Sequence, residues 1–262
     1  MTPRRRRTEP PHPAELLPFQ TLLDSTDWAS LATACGTGEA LPAALILLTD
    51  PDPAVRKSAL HDALEPVTHQ NSIYEATVPV ALYVAAILNH PAVTAGDDNR
   101  DDETRNHPTL VQLLDWLGDT AYDADDECVA TGERLFDGGF LDEYDEMRAF
   151  RDARPAIYSA VHPLLGHDDA DVRHTALVTA IPLIEHPLLT RYQADLAHHA
   201  RLLLAGSAPR RHRDRVLDAL KAWGHDTIEL ENASDIAARE HYARLRAGRA
   251  SWAGGYSDDP PF

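Results

Sequence analysis

Along most of this chain, apolar residues recur at the three- and four-residue spacing of an amphipathic helix and not at the alternation of a strand. The pattern begins at Glu15, with Leu16, Leu17, Phe19, Leu22 and Leu23 on one side. Asp27 is placed to cap a helix over residues 28–34, which Gly36 and Gly38 would end. Residues 41–48 form an apolar run, Asp50-Pro51-Asp52-Pro53 a turn and cap, and Pro53 suits a first helical position. Val55, Ala59, Leu60, Ala63, Leu64 and Val67 follow at helical spacing. A further helix is predicted over 72–88, kinked at Pro79 and closed by His90-Pro91.

The rhythm breaks between residues 94 and 153. Residues 94–106 have no apolar periodicity and predict a loop. Leu110, Val111, Leu113, Leu114 and Leu117 predict a short amphipathic helix. Residues 120–133 predict another, exposed over much of its length. Gly138-Gly139 breaks the chain before a short helix over 141–150. Order returns at Pro155, where Ile157, Val161, Leu164 and Leu165 form one helix. Val172, Ala176, Leu177, Ala180, Ile181 and Ile184 form its partner. Segments 188–204 and 213–223 make a further pair, and a polar helix spans about 226–246. The ends, 1–13 (basic and Pro-rich) and 248–262, lack such patterning and are expected to be disordered. They leave a helical body over 14–247 with an irregular acidic insertion at 94–153.

Two helix–turn–helix segments repeat each other at a separation of 117 residues. Leu47-Leu48, Asp52, Val55-Arg56 and Ala59-Leu60 align with Leu164-Leu165, Asp169, Val172-Arg173 and Ala176-Leu177. In each, a polar turn stops one helix and caps the next, and a small Ala permits close helix approach. Arg56 and Arg173 are expected to reach the turn carboxylate of a neighbouring unit. This Asp…Val-Arg…Ala-Leu pattern resembles the HEAT repeat, a helix pair of roughly 40 residues. The segment from His69 to Thr77 also resembles a linker of little-characterised bacterial HEAT-like proteins. The resemblance implies an all-α fold, an α-solenoid of antiparallel helix pairs, and a scaffold that holds other macromolecules.

Composition agrees with closely packed helices: 44% of residues are hydrophobic and only 6% aromatic. Charge changes the picture more. The formal net charge of −18 disfavours nucleic acid and anionic membranes as partners and favours a basic protein. Much of the excess sits between Asp97 and Glu146, where seventeen acidic residues stand against Arg100, Arg105 and Arg134. Asp97, Asp98, Asp101, Asp102, Glu103, Asp123, Asp125, Asp126 and Glu127 are therefore the candidate partner-binding residues, weighed against a merely solvated face.

Catalytic and metal chemistry find no support in the pattern. Residues 97–103 lack the glycine of a calcium loop. The adjacent His198 and His199 point apart on a helix, and no HExxH occurs among the 14 histidines. There is no GxSxG, phosphate-binding glycine loop or dinucleotide fingerprint. Cys35 and Cys128 are expected as small apolar core residues of a reducing compartment. The start, with Arg4 to Arg7, has no apolar segment behind it, and no run approaches a membrane span. The expectation is a cytoplasmic, non-enzymatic protein-binding scaffold without cofactor or metal, one version being an immunity protein that masks a basic toxin. The alternative is a HEAT-like enzyme acting on nucleic acid, of the DNA glycosylase type, using the basic stretch Arg210 to Arg215.

Overall fold

The computed structural model describes residues 15–95, 109–136 and 138–253, with side chains described as far as residue 247. The described residues are all-α apart from one two-stranded hairpin. It divides after Leu196 into two compact units.

The first unit runs α1 (Phe19–Ser25), β1 (Ala32–Thr33), β2 (Gly36–Thr37), α2 (Leu41–Leu47), α3 (Pro53–Leu64), α4 (Thr77–Ile87) and α5 (Pro91–Thr94). It continues through α6 (Thr109–Tyr122), α7 (Asp126–Leu135), α8 (Phe140–Glu143), α9 (Asp145–Val161) and α10 (Ala170–Leu183). Helix α11 (Gln193–Ala205) carries the chain across the division. The second unit holds α12 (Arg210–Ala222) and α13 (Ala233–Ala253).

The region predicted as a helix over 28–34 folds otherwise. A single 3-10 turn, Trp28–Ser30, is followed by the hairpin, in which Ala32 pairs with Thr37 and Thr33 with Gly36. Asp27 makes no side-chain cap. Backbone groups here find partners outside any helix: Ala32 donates to Glu75 Oε2 at 2.7 Å, and Ala34 donates to the Pro66 carbonyl at 2.8 Å. Gly36, at φ 131°, supplies the turn that a side-chain-bearing residue would resist. Cys35 consequently lies exposed at the tip and not in the core, while Cys128 is half-buried.

Two prolines act differently from their sequence reading. Pro79 falls in the first turn of α4, where its missing N–H is one of the helix's unpaired donors anyway, so no kink is needed. Pro155 does not begin a helix; α9 runs through it for 17 residues. Met147, Phe150, Ile157 and Val161 are each at most 2% exposed, and α9 packs on both α4 and α10. That tertiary burial outweighs the local penalty of an internal proline.

Within the described part of 94–153, α6 belongs to the core, while α7 and α8 are largely exposed. Leu113, Leu114 and Leu117 of α6 are fully buried, and α6 packs against α3, α4, α5 and α10. Its closest approach is to α10. A Cβ on Gly118 would lie 3.0 Å from the Thr179 hydroxyl, which itself donates to the Leu114 carbonyl at 2.8 Å.

Both repeated arginines turn back over the turn that precedes their own helix. Arg56 Nη1 donates to the carbonyls of Asp50 (2.8 Å) and Pro51 (3.0 Å), and its Nε to Thr109 Oγ1 at 3.1 Å. Arg173 Nη1 donates to the equivalent carbonyls of His167 (2.6 Å) and Asp168 (2.7 Å). Each arginine stands four residues after its helix's N-cap, Asp52 or Asp169, and turns back over its own turn. It satisfies carbonyls of the turn that links its helix to the preceding one. Arg148, four after the N-cap of α9, does the same for the Leu141 carbonyl at 2.6 Å. Within the second unit, Arg213, four after the N-cap of α12, donates to the Leu204 carbonyl at 2.8 Å.

Candidate functional site

The acids singled out from the sequence divide into three groups. Asp97, Asp98, Asp101, Asp102 and Glu103 lie outside the described residues. Asp123, Asp125 and Asp126 are engaged within the fold. Glu127 is exposed on the first turn of α7.

The engaged acids form the turn between α6 and α7. Asp123 accepts from Asn71 Nδ2 at 2.8 Å. Asp125 caps α7 by accepting from the Cys128 amide at 2.7 Å. Burial raises the Asp125 pKa, against the lowering by that same hydrogen bond. Asp126 pairs with Arg151, and its amide donates to Glu185 Oε2 at 2.9 Å. Behind the turn, Arg154 is fully buried; it donates to the Ala124 carbonyl and reaches Glu185 at 3.3 Å. Burial pulls the Arg154 pKa down to about 10, with repulsion from Arg151 adding to it. Burial pushes the Glu185 carboxyl up to about 7 in spite of the attraction of Arg154. These groups lock the turn to α9 and to the end of α10.

Arg151, Arg154 and Glu185 were missed by a count of charges that stopped at Glu146. The signal was present, because Arg148, Arg151 and Arg154 recur every third residue just beyond it. On one helix face they are placed to neutralise acids folded back upon them.

The linker from His69 to Thr77 lies against the same region. Gln70 and Asn71 are left-handed, at φ 53° and 60°, a conformation that costs non-glycine residues energy. Asn71 is held there through Asp123. The Tyr144 hydroxyl both accepts from the Ile73 amide (2.8 Å) and donates to the Ile73 carbonyl (2.7 Å). Trp116 Nε1 donates to Thr68 Oγ1 at 3.1 Å. The loop is thereby fixed to α6 and to the start of α9.

Beyond the turn, the helices present an exposed apolar tip inside an acidic surround. Leu135 is 75% and Phe136 64% exposed at the end of α7. Phe136 stacks on Phe140, with centroids 5.7 Å apart, and Phe140 meets Tyr144 edge-on at 5.6 Å. Asp142 and Glu143 are exposed on α8, and Glu133 accepts from the Leu141 amide at 3.1 Å. Gly132 makes the stack possible, because a Cβ there would lie 2.5 Å from the Phe140 ring. Gly132→Ala is expected to displace Phe140 and cost about 1–3 kcal/mol, as overpacking does. Chemical denaturation with near-ultraviolet circular dichroism would check both effects; unchanged stability and an unchanged aromatic signal would refute the close contact.

In the second unit a groove of about 430 Å3 runs between α12 and α13, lined by Leu217, Lys221, Glu231, Arg239 and Tyr242. Its charges serve one another: Glu231 bridges Lys221 at 3.2 Å and Arg239 at 3.0 Å. The basic stretch beside it is partly internal too. Arg213 is buried against Asp235, and Arg210 pairs with Asp214 at 3.5 Å.

Among the described residues, no three His, Cys, Asp or Glu side chains are grouped to hold a metal ion. No described helix is long and apolar enough to cross a membrane. Comparison with protein-family models, with curated proteins and with solved structures gives no match to this chain.

Proposed function

We propose that this protein is a HEAT-like, non-enzymatic binding scaffold whose acidic surface over α7 and α8 holds a basic protein partner. One version is an immunity-type protein that masks a basic toxin. The repeat reading draws support from the arginine placed four residues after the N-cap of α3, α9, α10 and α12. A stacked series of helix pairs would use one such device at each turn.

The observation that carries the binding reading is the division of labour among the acids. Arg151 and Arg154 face inward and pair with Asp126 and Glu185, and the exposed Arg148 pairs with Asp145 on its own helix. Glu127, Asp142 and Glu143 remain on the solvent side of the elements so anchored. A fixed array of one sign steers an oppositely charged partner and raises its association rate.

The test is affinity capture from native cells with wild-type protein and a Glu127→Gln, Asp142→Asn, Glu143→Gln variant side by side. Each bait is washed at about 0.1 M and about 0.4 M salt, which span a twofold change in screening length. The expected result is a basic protein retained by the wild type at low salt and lost from the variant. A partner of neutral or acidic character, or one bound equally by both baits, would overturn the reading.

A further inference from the structure

We propose that Leu135 and Phe136 are the apolar anchor of the binding surface, and that their occupant is a cationic amphipathic helix of the partner. This rests on the acidic-surface reading and adds to it the chemistry of the segment that docks.

Three observations converge on these two side chains. Among the described residues of the first unit they are the most exposed adjacent apolar pair, at 75% and 64%. Exposed apolar groups of that size set within a polar rim mark interaction sites. Phe136 is also held in place before any partner arrives. Its ring lies nearly parallel to Phe140, at 17°, and Phe140 is itself wedged between Gly132 and Tyr144. An aromatic side chain already ordered loses little rotamer freedom on binding, which is how such residues come to dominate interfaces.

The surrounding charge specifies the occupant. Asp142 and Glu143 on α8 are exposed close in the chain to Phe140, Glu127 is exposed at the opposite end of α7, and Arg134 is the basic residue on that helix. Arg134 is turned to the Thr131 hydroxyl at 2.9 Å. A segment meeting this surface must bring apolar contact to the ring and positive charge to the rim. A helix with leucines on one face and lysines on the other does both, and burying it matches charge with charge. A second copy of this acidic chain would set like charges together. An apolar partner without lysines would leave the carboxylates facing a desolvated edge.

The test uses the full chain and three synthetic peptides of equal length: a leucine/lysine amphipathic helix, a lysine/glutamine peptide of the same charge, and a neutral leucine/glutamine helix. Affinities are measured by fluorescence anisotropy for the wild type, Phe136→Ser, and the Glu127→Gln, Asp142→Asn, Glu143→Gln variant. The leucine/lysine helix is expected to bind at least about tenfold more tightly than either control peptide, the size of effect a single aromatic anchor exerts. Phe136→Ser should remove that advantage while leaving the binding of the lysine/glutamine peptide unchanged. Equal binding of the two cationic peptides to the wild type, weakened by the carboxylate variant, would overturn the apolar anchor and leave the acidic surface standing. Absence of binding by either cationic peptide would overturn both. Circular dichroism of Phe136→Ser, compared with the wild type, keeps a folding defect from passing as lost affinity. If it is misfolded, Leu135→Gln replaces it with the same expected loss.

Discussion

Replacing Arg154 with methionine is expected to cost about 3 kcal/mol of stability at pH 8 and less at pH 6. The Arg154 side chain is 1% exposed, and it holds the Ala124 carbonyl and the Glu185 carboxylate together. Methionine preserves much of the volume, so the loss is one of partners: the buried Ala124 carbonyl and the half-buried Glu185 carboxylate are left with poorer company. The dependence on pH follows from Glu185. Its folded pKa of about 7 stands above the ordinary 4.5, because burial disfavours the charged form. A raised pKa contributes stability that is complete below about 4.5 and is lost as the pH rises through about 7. Without Arg154 the charged form of Glu185 is worse still, so the variant's penalty grows toward pH 8. Glu185→Gln should flatten that slope in the wild-type background. Urea denaturation at the two pH values checks both, and an Arg154→Met midpoint equal to wild type at pH 8 would show that the pair stabilises nothing.

The second large effect lies in the other unit. Arg213→Met is expected to destabilise α12 and α13 by about 3 kcal/mol, the cost of breaking a buried ion pair from one side. Arg213 and Asp235 expose 6% and 3% of their side chains and meet at 2.6 Å. Arg213 also donates to the carbonyls of Leu204 (2.8 Å) and Leu230 (3.1 Å), so one side chain ties three segments. Its hydrogen bonds hold the Asp235 pKa below the ordinary range. A lowered carboxylate pKa contributes stability present above the unfolded value and lost as the pH falls through the folded one. The wild type should therefore lose protection in α12 and α13 on acidification below about 3.8, and Arg213→Met should already lack it at neutral pH. Hydrogen exchange resolved by segment reads this directly. Unchanged exchange in α12 and α13 of the variant would rule out the pair as their clasp.

The turns were the most legible part of the sequence. Asp52 and Asp169 cap as expected, each accepting from amides just inside its helix, because capping depends only on neighbours in the chain. The contacts of the long arginines were less legible: Arg173 turns back to two carbonyls of its own turn and Arg56 also reaches Thr109 on another helix, because such a side chain has several acceptors within reach and only the folded chain selects among them. The hairpin at 32–37 was hidden for a related reason. Its strands are two residues each, and it persists through contacts with Pro66, Glu75 and Ala76, which are far along the chain. Pro155 misled because a local breaking tendency gave way to burial on both sides of it. The acidic stretch was correctly identified as unusual but not as divided. Burial of α6 and neutralisation by Arg151 and Arg154 depend on which helices come to lie beside the acids, and spacing alone does not encode that. Sequence named Asp123, Asp125 and Asp126 as partner-binding residues; the fold uses them to fasten a turn and leaves Glu127, Asp142 and Glu143 outward.

Hydrogen exchange of the full chain, alone and bound to the basic protein it captures, most directly tests whether the face over α7 and α8 is where a partner sits. Protection on binding is expected to concentrate in residues 126–146 and to be lost in the Glu127→Gln, Asp142→Asn, Glu143→Gln variant. Protection confined to α12 and α13, with 126–146 exchanging as in the free protein, would contradict it.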